Sequence, residues 1–106
     1  MGGKKDKIVG LFTKAMHRNF SPCTVIWFGS RAKGKAHKDS DYDFIVVSPR
    51  FQRWEWEERS AKAYHLKRNI PAAMDIICLT PEEFEQKKKG MGVIQQAVKE
   101  GVEIKL

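Results

Sequence analysis

Gly29-Ser30 is followed, after ten residues, by Asp41-Tyr42-Asp43, a pairing of phosphate-binding and metal-binding residue types. A glycine-serine turn lets backbone N–H groups and a hydroxyl approach phosphate oxygens, because glycine adds no Cβ and tolerates unusual dihedrals. Two carboxylates two apart on a strand point to one face, where their oxygens can grip a hard divalent cation. Together they describe a site for a metal-bound nucleoside triphosphate. Either half alone is commonplace, since Gly-Ser is usually a plain turn and Asp-x-Asp a solvated loop edge. The combination at one fixed offset arises by chance in roughly one chain in a thousand of this length, so the two halves are read as one motif.

These residues need elements to hold them. Val25-Ile26-Trp27-Phe28 precedes the turn and Phe44-Ile45-Val46-Val47 follows the carboxylates, predicting strands over about Thr24 to Phe28 and Tyr42 to Val47. A third strand, about Met74 to Leu79, carries Asp75 near its start. Val9, Phe12, Met16 and Phe20 recur at helical spacing, so an amphipathic helix is expected from about Lys5 to Asn19, ended by Ser21-Pro22. Ser48-Pro49 closes the second strand and opens a long helical stretch from about Phe51 to Asn69, which Pro71 breaks. Thr80-Pro81-Glu82-Glu83 reads as a helix start, with Thr80 as N-cap and Glu83 completing a capping box. A further helix over about Val93 to Glu100 ends at Gly101, before a short strand Val102 to Lys105.

The segment between the second and third strands is long enough for a helical crossover, so those strands can run parallel with their starts together. Asp41, Asp43 and Asp75 then meet at one sheet edge. Gly29-Ser30, at the exit of the first strand, joins them only if that strand is antiparallel to the second. The expected fold is α/β (α+β), a small mixed sheet flanked by helices. Carboxylates converging at one edge repel unless a cation compensates them, a reason to expect Mg²⁺ or Mn²⁺. Asp75 taken alone also reads as a strand-end aspartate capping nearby backbone.

With 106 residues, the chain is long enough for one compact core and is expected to be a single domain over residues 1–106. Twenty Lys and Arg against 13 Asp and Glu leave a net charge of +7, which suits polyanionic partners. Ordinary solubilisation by lysine explains many of these charges, and nucleic-acid contact is the lesser reading. Arg31, Lys33, Lys35 and Lys38 crowd the loop inside the motif, and at least one is expected to offset triphosphate charge. His37 has no positioned partner for acid-base work. Cys23 and Cys78 are too few for a disulfide scaffold. No apolar run approaches the roughly 20 residues of a membrane span, and no secretory signal precedes Lys4, so no membrane partner and a cytoplasmic location are expected. The stretch after Phe51 shows two apolar faces. Trp56, Ala63, Leu66 and Ile70 are expected to pack on the sheet, while Phe51, Trp54, Ala61 and His65 face outward, with Trp54 the more exposed tryptophan and a partner anchor.

The segment Gly29-Ser30-Arg31-Ala32-Lys33-Gly34 through Ser40-Asp41-Tyr42-Asp43-Phe44, with Asp75 in Ala73-Met74-Asp75-Ile76-Ile77-Cys78-Leu79, resembles the signature of the minimal nucleotidyltransferase family. These are small relatives of the DNA polymerase β superfamily, whose pattern is Gly-Ser, ten residues, Asp-x-Asp and a third aspartate on a later strand. The resemblance implies the nucleotidyltransferase fold and metal-dependent transfer of AMP from ATP to an acceptor hydroxyl, with pyrophosphate released. It further implies that Asp41 and Asp43 bind both metals and that Asp75 holds the catalytic one and helps activate the nucleophile. Ser30 and the backbone of Gly29 would cradle the β- and γ-phosphates. Arg31 and Lys33 match positions where the family favours basic residues. So small a chain leaves little room for acceptor recognition, and such proteins typically act as antitoxins that AMPylate a tyrosine of a HEPN-domain toxin. Two alternatives stay open: a non-catalytic antitoxin or adaptor that acts by binding, and an RNA-modifying or RNA-binding module.

Overall fold

Local signals start most of the elements. The computed structural model describes residues 6–35 and 40–105. Asp6 caps the first helix, α1 (Lys7–Phe20), its carboxylate accepting from the backbone N–H groups of Ile8 and Val9. The expected start at Lys5 lies outside the described residues. Strands β1 (Thr24–Phe28) and β2 (Tyr42–Val47) follow, then a 3₁₀ turn over Pro49–Arg53 and helix α2 (Trp56–Leu66). Strand β3 (Met74–Leu79), helices α3 (Pro81–Lys88) and α4 (Val93–Glu100), and the short strand β4 (Val102–Ile104) complete the order. Thr80 and Glu83 form the expected capping box at the start of α3, with Pro81 in the first turn.

The four-stranded sheet has the order β3-β2-β1-β4. β1 is antiparallel to both neighbours, whereas β2 and β3 are parallel. This is the mixed sheet that the crossover argument requires. Alternation along the strands splits the apolar residues between two cores. Val25, Trp27, Tyr42, Phe44, Val46, Met74, Ile76 and Cys78 face α1 and α2, joining Val9, Phe12, Met16, Phe20, Phe51 and Ala63 in the larger core. Ile26, Ile45, Val47 and Leu79 face the other way, under Phe84 of α3 and Ile94 and Ala97 of α4. Asp43 and Asp75 share the parity of this second set, so both stand on the α3/α4 side of the sheet.

The long helix expected over Phe51 to Asn69 is two pieces. Ser48 caps the 3₁₀ turn, and Glu55 then starts α2 anew with Glu58 completing its own capping box. The break resets the helical phase. Phe51 is fully buried, Trp54 packs edge-on against Phe20 in the larger core, and Trp56 is 45% exposed. The expected order of the two tryptophans is therefore reversed, while Ala63 and Leu66 do face the sheet side. Buried Arg59 secures the joint: its Nε donates to the carbonyls of Phe51 and Trp54, and its Nη1 pairs with Glu83 at 2.7 Å. Among the described residues, no helix is long and apolar enough to cross a membrane.

Candidate active site

The site begins where β1 ends. In the β1–β2 pairing Phe28 lies opposite Asp43, so the chain turns at Gly29 directly beside that carboxylate. Gly29 has φ +86°, and a Cβ built there would lie 2.1 Å from Asp43 Oδ2. Glycine is thus required twice, for its left-handed backbone and for the space the carboxylate uses. The turn then doubles back, with Lys33 N–H donating to the carbonyls of Gly29 and Ser30 and Lys35 N–H to that of Ser30.

The parallel pairing of β2 and β3 sets Asp43 opposite Asp75 at the same level of the sheet. Two side chains at one register position of neighbouring strands share a face. The consequence is electrostatic. Partial burial, then the charge of Asp75, then that of Asp41, all raise the Asp43 carboxyl above its ordinary pKa. Asp41 lies just before β2 and is exposed, as is Ser30. Among the described residues, no three His, Cys, Asp or Glu side chains are already drawn into one metal-holding group. The donor chemistry nevertheless fits a hard cation: oxygen ligands on adjacent strands whose mutual repulsion is visible at Asp43.

Two basic residues of the motif, Arg31 and Lys33, are engaged within the protein. The Arg31 guanidinium lies 4.4 Å from the centre of the Tyr42 ring, and its Nε donates to the carbonyl of Ser40 at 2.8 Å. Tyr42 in turn donates from its hydroxyl to Asp6, the cap of α1, at 2.9 Å. Burial, then the Asp6 hydrogen bond and charge, raise the Tyr42 pKa, with Arg31 opposing. Arg31, Tyr42 and Asp6 therefore tie the strand that carries Asp43 to the start of α1. Lys33 pairs with Glu100 of α4 at 2.6 Å. Lys35 is exposed, and His37 and Lys38 lie outside the described residues. Sequence reasoning missed Asp6, Tyr42 and Glu100. Asp6 carried a usable signal as an acidic residue just before an apolar helical stripe, whereas the Glu100 contact depends on where α4 seats.

Beside Gly29 a cavity of about 230 Å³ opens under α4, lined by Phe28, Val93, Gln96, Ala97 and Glu100. Thiol chemistry has no foothold. Burial pushes Cys23 up to about 11 and Cys78 up to about 12, so neither is a thiolate at neutral pH.

A parallel β2–β3 pair that aligns two aspartates, with a glycine turn packed on one of them, is the layout of a nucleotide-transfer domain. The sequence profile of the nucleotidyltransferase domain family matches residues 11–105, and the chain belongs to that family. Solved structures agree at the level of the fold. The chain is similar to a crystal structure of a toxin-antitoxin with AMP-PNP at 19% identity and a TM-score of 0.62, covering 89% of this chain and 69% of that one. A protein from Sulfolobus solfataricus assigned as a nucleotidyltransferase is similar at 23% identity and TM-score 0.53, with 81% and 85% covered. BolA1 from Arabidopsis thaliana is similar at 18% identity and TM-score 0.59, with 74% and 96% covered, which shows how widely this layering of helices and sheet is shared. No curated protein matches the chain.

Proposed function

We propose that this chain transfers AMP from ATP to a hydroxyl of a partner protein, as the antitoxin of a pair whose toxin is a HEPN-domain protein. The observation that carries the reading is the alignment of Asp43 with Asp75 beside the Gly29 turn. A toxin-antitoxin structure with AMP-PNP among the similar folds supports the pairing with a toxin.

In this reading, the backbone of Gly29 and the hydroxyl of Ser30 hold the β- and γ-phosphates, which sets the α-phosphorus over Asp43. Asp41, Asp43 and Asp75 would hold Mg²⁺ or Mn²⁺. The bound cation supplies neutralisation of phosphate charge and a lower pKa for the acceptor hydroxyl. Asp41 is exposed just before β2, on the side from which a nucleotide would enter in this reading. Asp75 accepts the proton as the acceptor oxygen bonds to the α-phosphorus. The bond from that phosphorus to the bridging oxygen breaks, and pyrophosphate leaves with the electron pair. The acceptor is a tyrosine of the toxin, where an added adenylate hinders RNA sterically and by charge. Toxin and antitoxin would meet in the cytoplasm.

Intact-mass spectrometry of a HEPN-domain partner mixed with ATP, Mg²⁺ and this chain tests the proposal. The partner's mass should rise by adenylate increments and its ribonuclease activity should fall, and both changes should vanish with Asp43→Asn. Silencing of the toxin by the variant at unchanged mass would overturn the enzymatic reading in favour of inhibition by binding.

A further inference from the structure

Lys33 is rooted in the glycine turn, its backbone N–H bonded to the carbonyls of Gly29 and Ser30. Its ammonium meets Glu100 at 2.6 Å. Glu100 is itself held in place. Its second carboxylate oxygen accepts from Gln96 at 3.2 Å, one turn earlier on α4. The end of α4 is seated on β1 by Gly101, where a Cβ would lie 2.9 Å from the Trp27 carbonyl oxygen and 2.5 Å from that of Ala97. A larger residue there would lift the helix end, and Glu100 with it, off the sheet. Glu100 also lines the cavity beside Gly29. The result is an oriented carboxylate, bonded to a lysine whose backbone closes the turn on both Gly29 and Ser30.

We infer that Glu100 sets the site's selectivity among phosphate tails by standing in for a terminal phosphate on Lys33, which a triphosphate must displace. A carboxylate and a terminal phosphate both offer anionic oxygens to an ammonium, but the phosphate brings more charge. Lys33 and Glu100 are 42% and 36% exposed, so the pair is weak enough to exchange. A ligand whose phosphates stop short of Lys33 leaves the pair intact and gains nothing from the lysine. A triphosphate gains the lysine and bears the cost of separating it from Glu100. Glu100 thereby restrains triphosphate affinity and eases release of pyrophosphate, the product that would reach Lys33.

This inference rests on the nucleotide reading above. Calorimetric titration of AMP-PNP and of AMP, each with Mg²⁺, into the full chain and its Glu100→Gln variant is the test. Glutamine keeps the length of the side chain and can still bond Gln96. The variant should bind AMP-PNP up to about fivefold more tightly and AMP unchanged, and the gain should disappear when Lys33→Met is added. An unchanged or weaker affinity for AMP-PNP, or an equal gain for AMP, would overturn the assignment while leaving the nucleotide reading standing. Failure of the unsubstituted chain to bind AMP-PNP at all would overturn both.

Discussion

Gly29 and Asp43 share one volume: the space that a Cβ on the glycine would fill is taken by the aspartate's Oδ2, only 2.1 Å away. The turn that would hold phosphate and the strand that would hold metal are fitted to each other. A change in either is therefore felt by both, which gives the first prediction.

Gly29→Ala should cost about 1–2 kcal/mol of stability from the left-handed backbone alone, because φ is +86°. The new methyl also displaces the Asp43 carboxylate. Binding of AMP-PNP with Mg²⁺ should consequently fall by more than the stability loss predicts for a fully folded sample, which calorimetry on protein confirmed native by circular dichroism would show. Retention of full affinity would mean that Asp43 works from another rotamer.

Asp43→Asn should stabilise the empty protein while abolishing transfer. Burial and then the charges of Asp75 and Asp41 raise the folded pKa of Asp43 above its ordinary 3.8. The folded chain then holds this proton more tightly than the unfolded chain, so the group favours the fold below about 3.8 and that contribution is lost as pH rises through the folded value. At neutral pH the ionised side chain opposes folding. Differential scanning calorimetry at pH 7 should show a rise in Tm of up to about 4 °C, and a lower Tm would refute the repulsion at this site.

Arg59 and Glu83 carry the opposite dependence. Burial raises the Glu83 pKa, but hydrogen bonds from Arg59 and Thr80 more than offset it and hold the carboxyl below its ordinary 4.5. That stabilisation is present above about 4.5 and is lost as pH falls through the folded value. Arg59→Met should cost about 2–4 kcal/mol, since it also strips donors from the carbonyls of Phe51 and Trp54. Urea denaturation from pH 7 to pH 3 should show a smaller acid loss in Glu83→Gln than in the unsubstituted chain. Parallel acid profiles would place the acid sensitivity elsewhere.

The two tryptophans of the α2 region should differ sharply on truncation. Trp54 packs on Phe20 and under Lys62, whose Nζ lies 4.7 Å from its ring centre, whereas Trp56 is 45% exposed. Trp54→Ala should cost about 2–3 kcal/mol and Trp56→Ala less than about 1 kcal/mol. Chemical denaturation of the two variants gives the comparison directly, and equal costs would contradict the packing.

Local chemistry in the sequence was sufficient for much of this architecture. Strand limits at Thr24–Phe28, Tyr42–Val47 and Met74–Leu79 follow from apolar runs bounded by breakers, and the start of α3 follows from Thr80, Pro81 and Glu83. Such signals act within a few residues, so they survive any tertiary arrangement. The meeting of Asp43 with Asp75 was also within reach, because a helical crossover permits parallel strands and parallel strands align their starts.

Other features came out only in the folded structure. A helical phase carried across Phe51 to Asn69 misplaced Trp54 and Trp56, because Glu55 restarts the helix and the 3₁₀ turn before it rotates Phe51 into the core. No sequence signal marks Arg59, which the fold buries against two carbonyls and Glu83. Lys33 reads as a free phosphate ligand until Gly101 lets α4 settle on β1 and brings Glu100 to it. For Arg59 and Lys33 the deciding carboxylate, Glu83 or Glu100, is remote in the chain. Sequence periodicity reports which face a residue takes on its own element, while the seating of one element on another decides what that face meets.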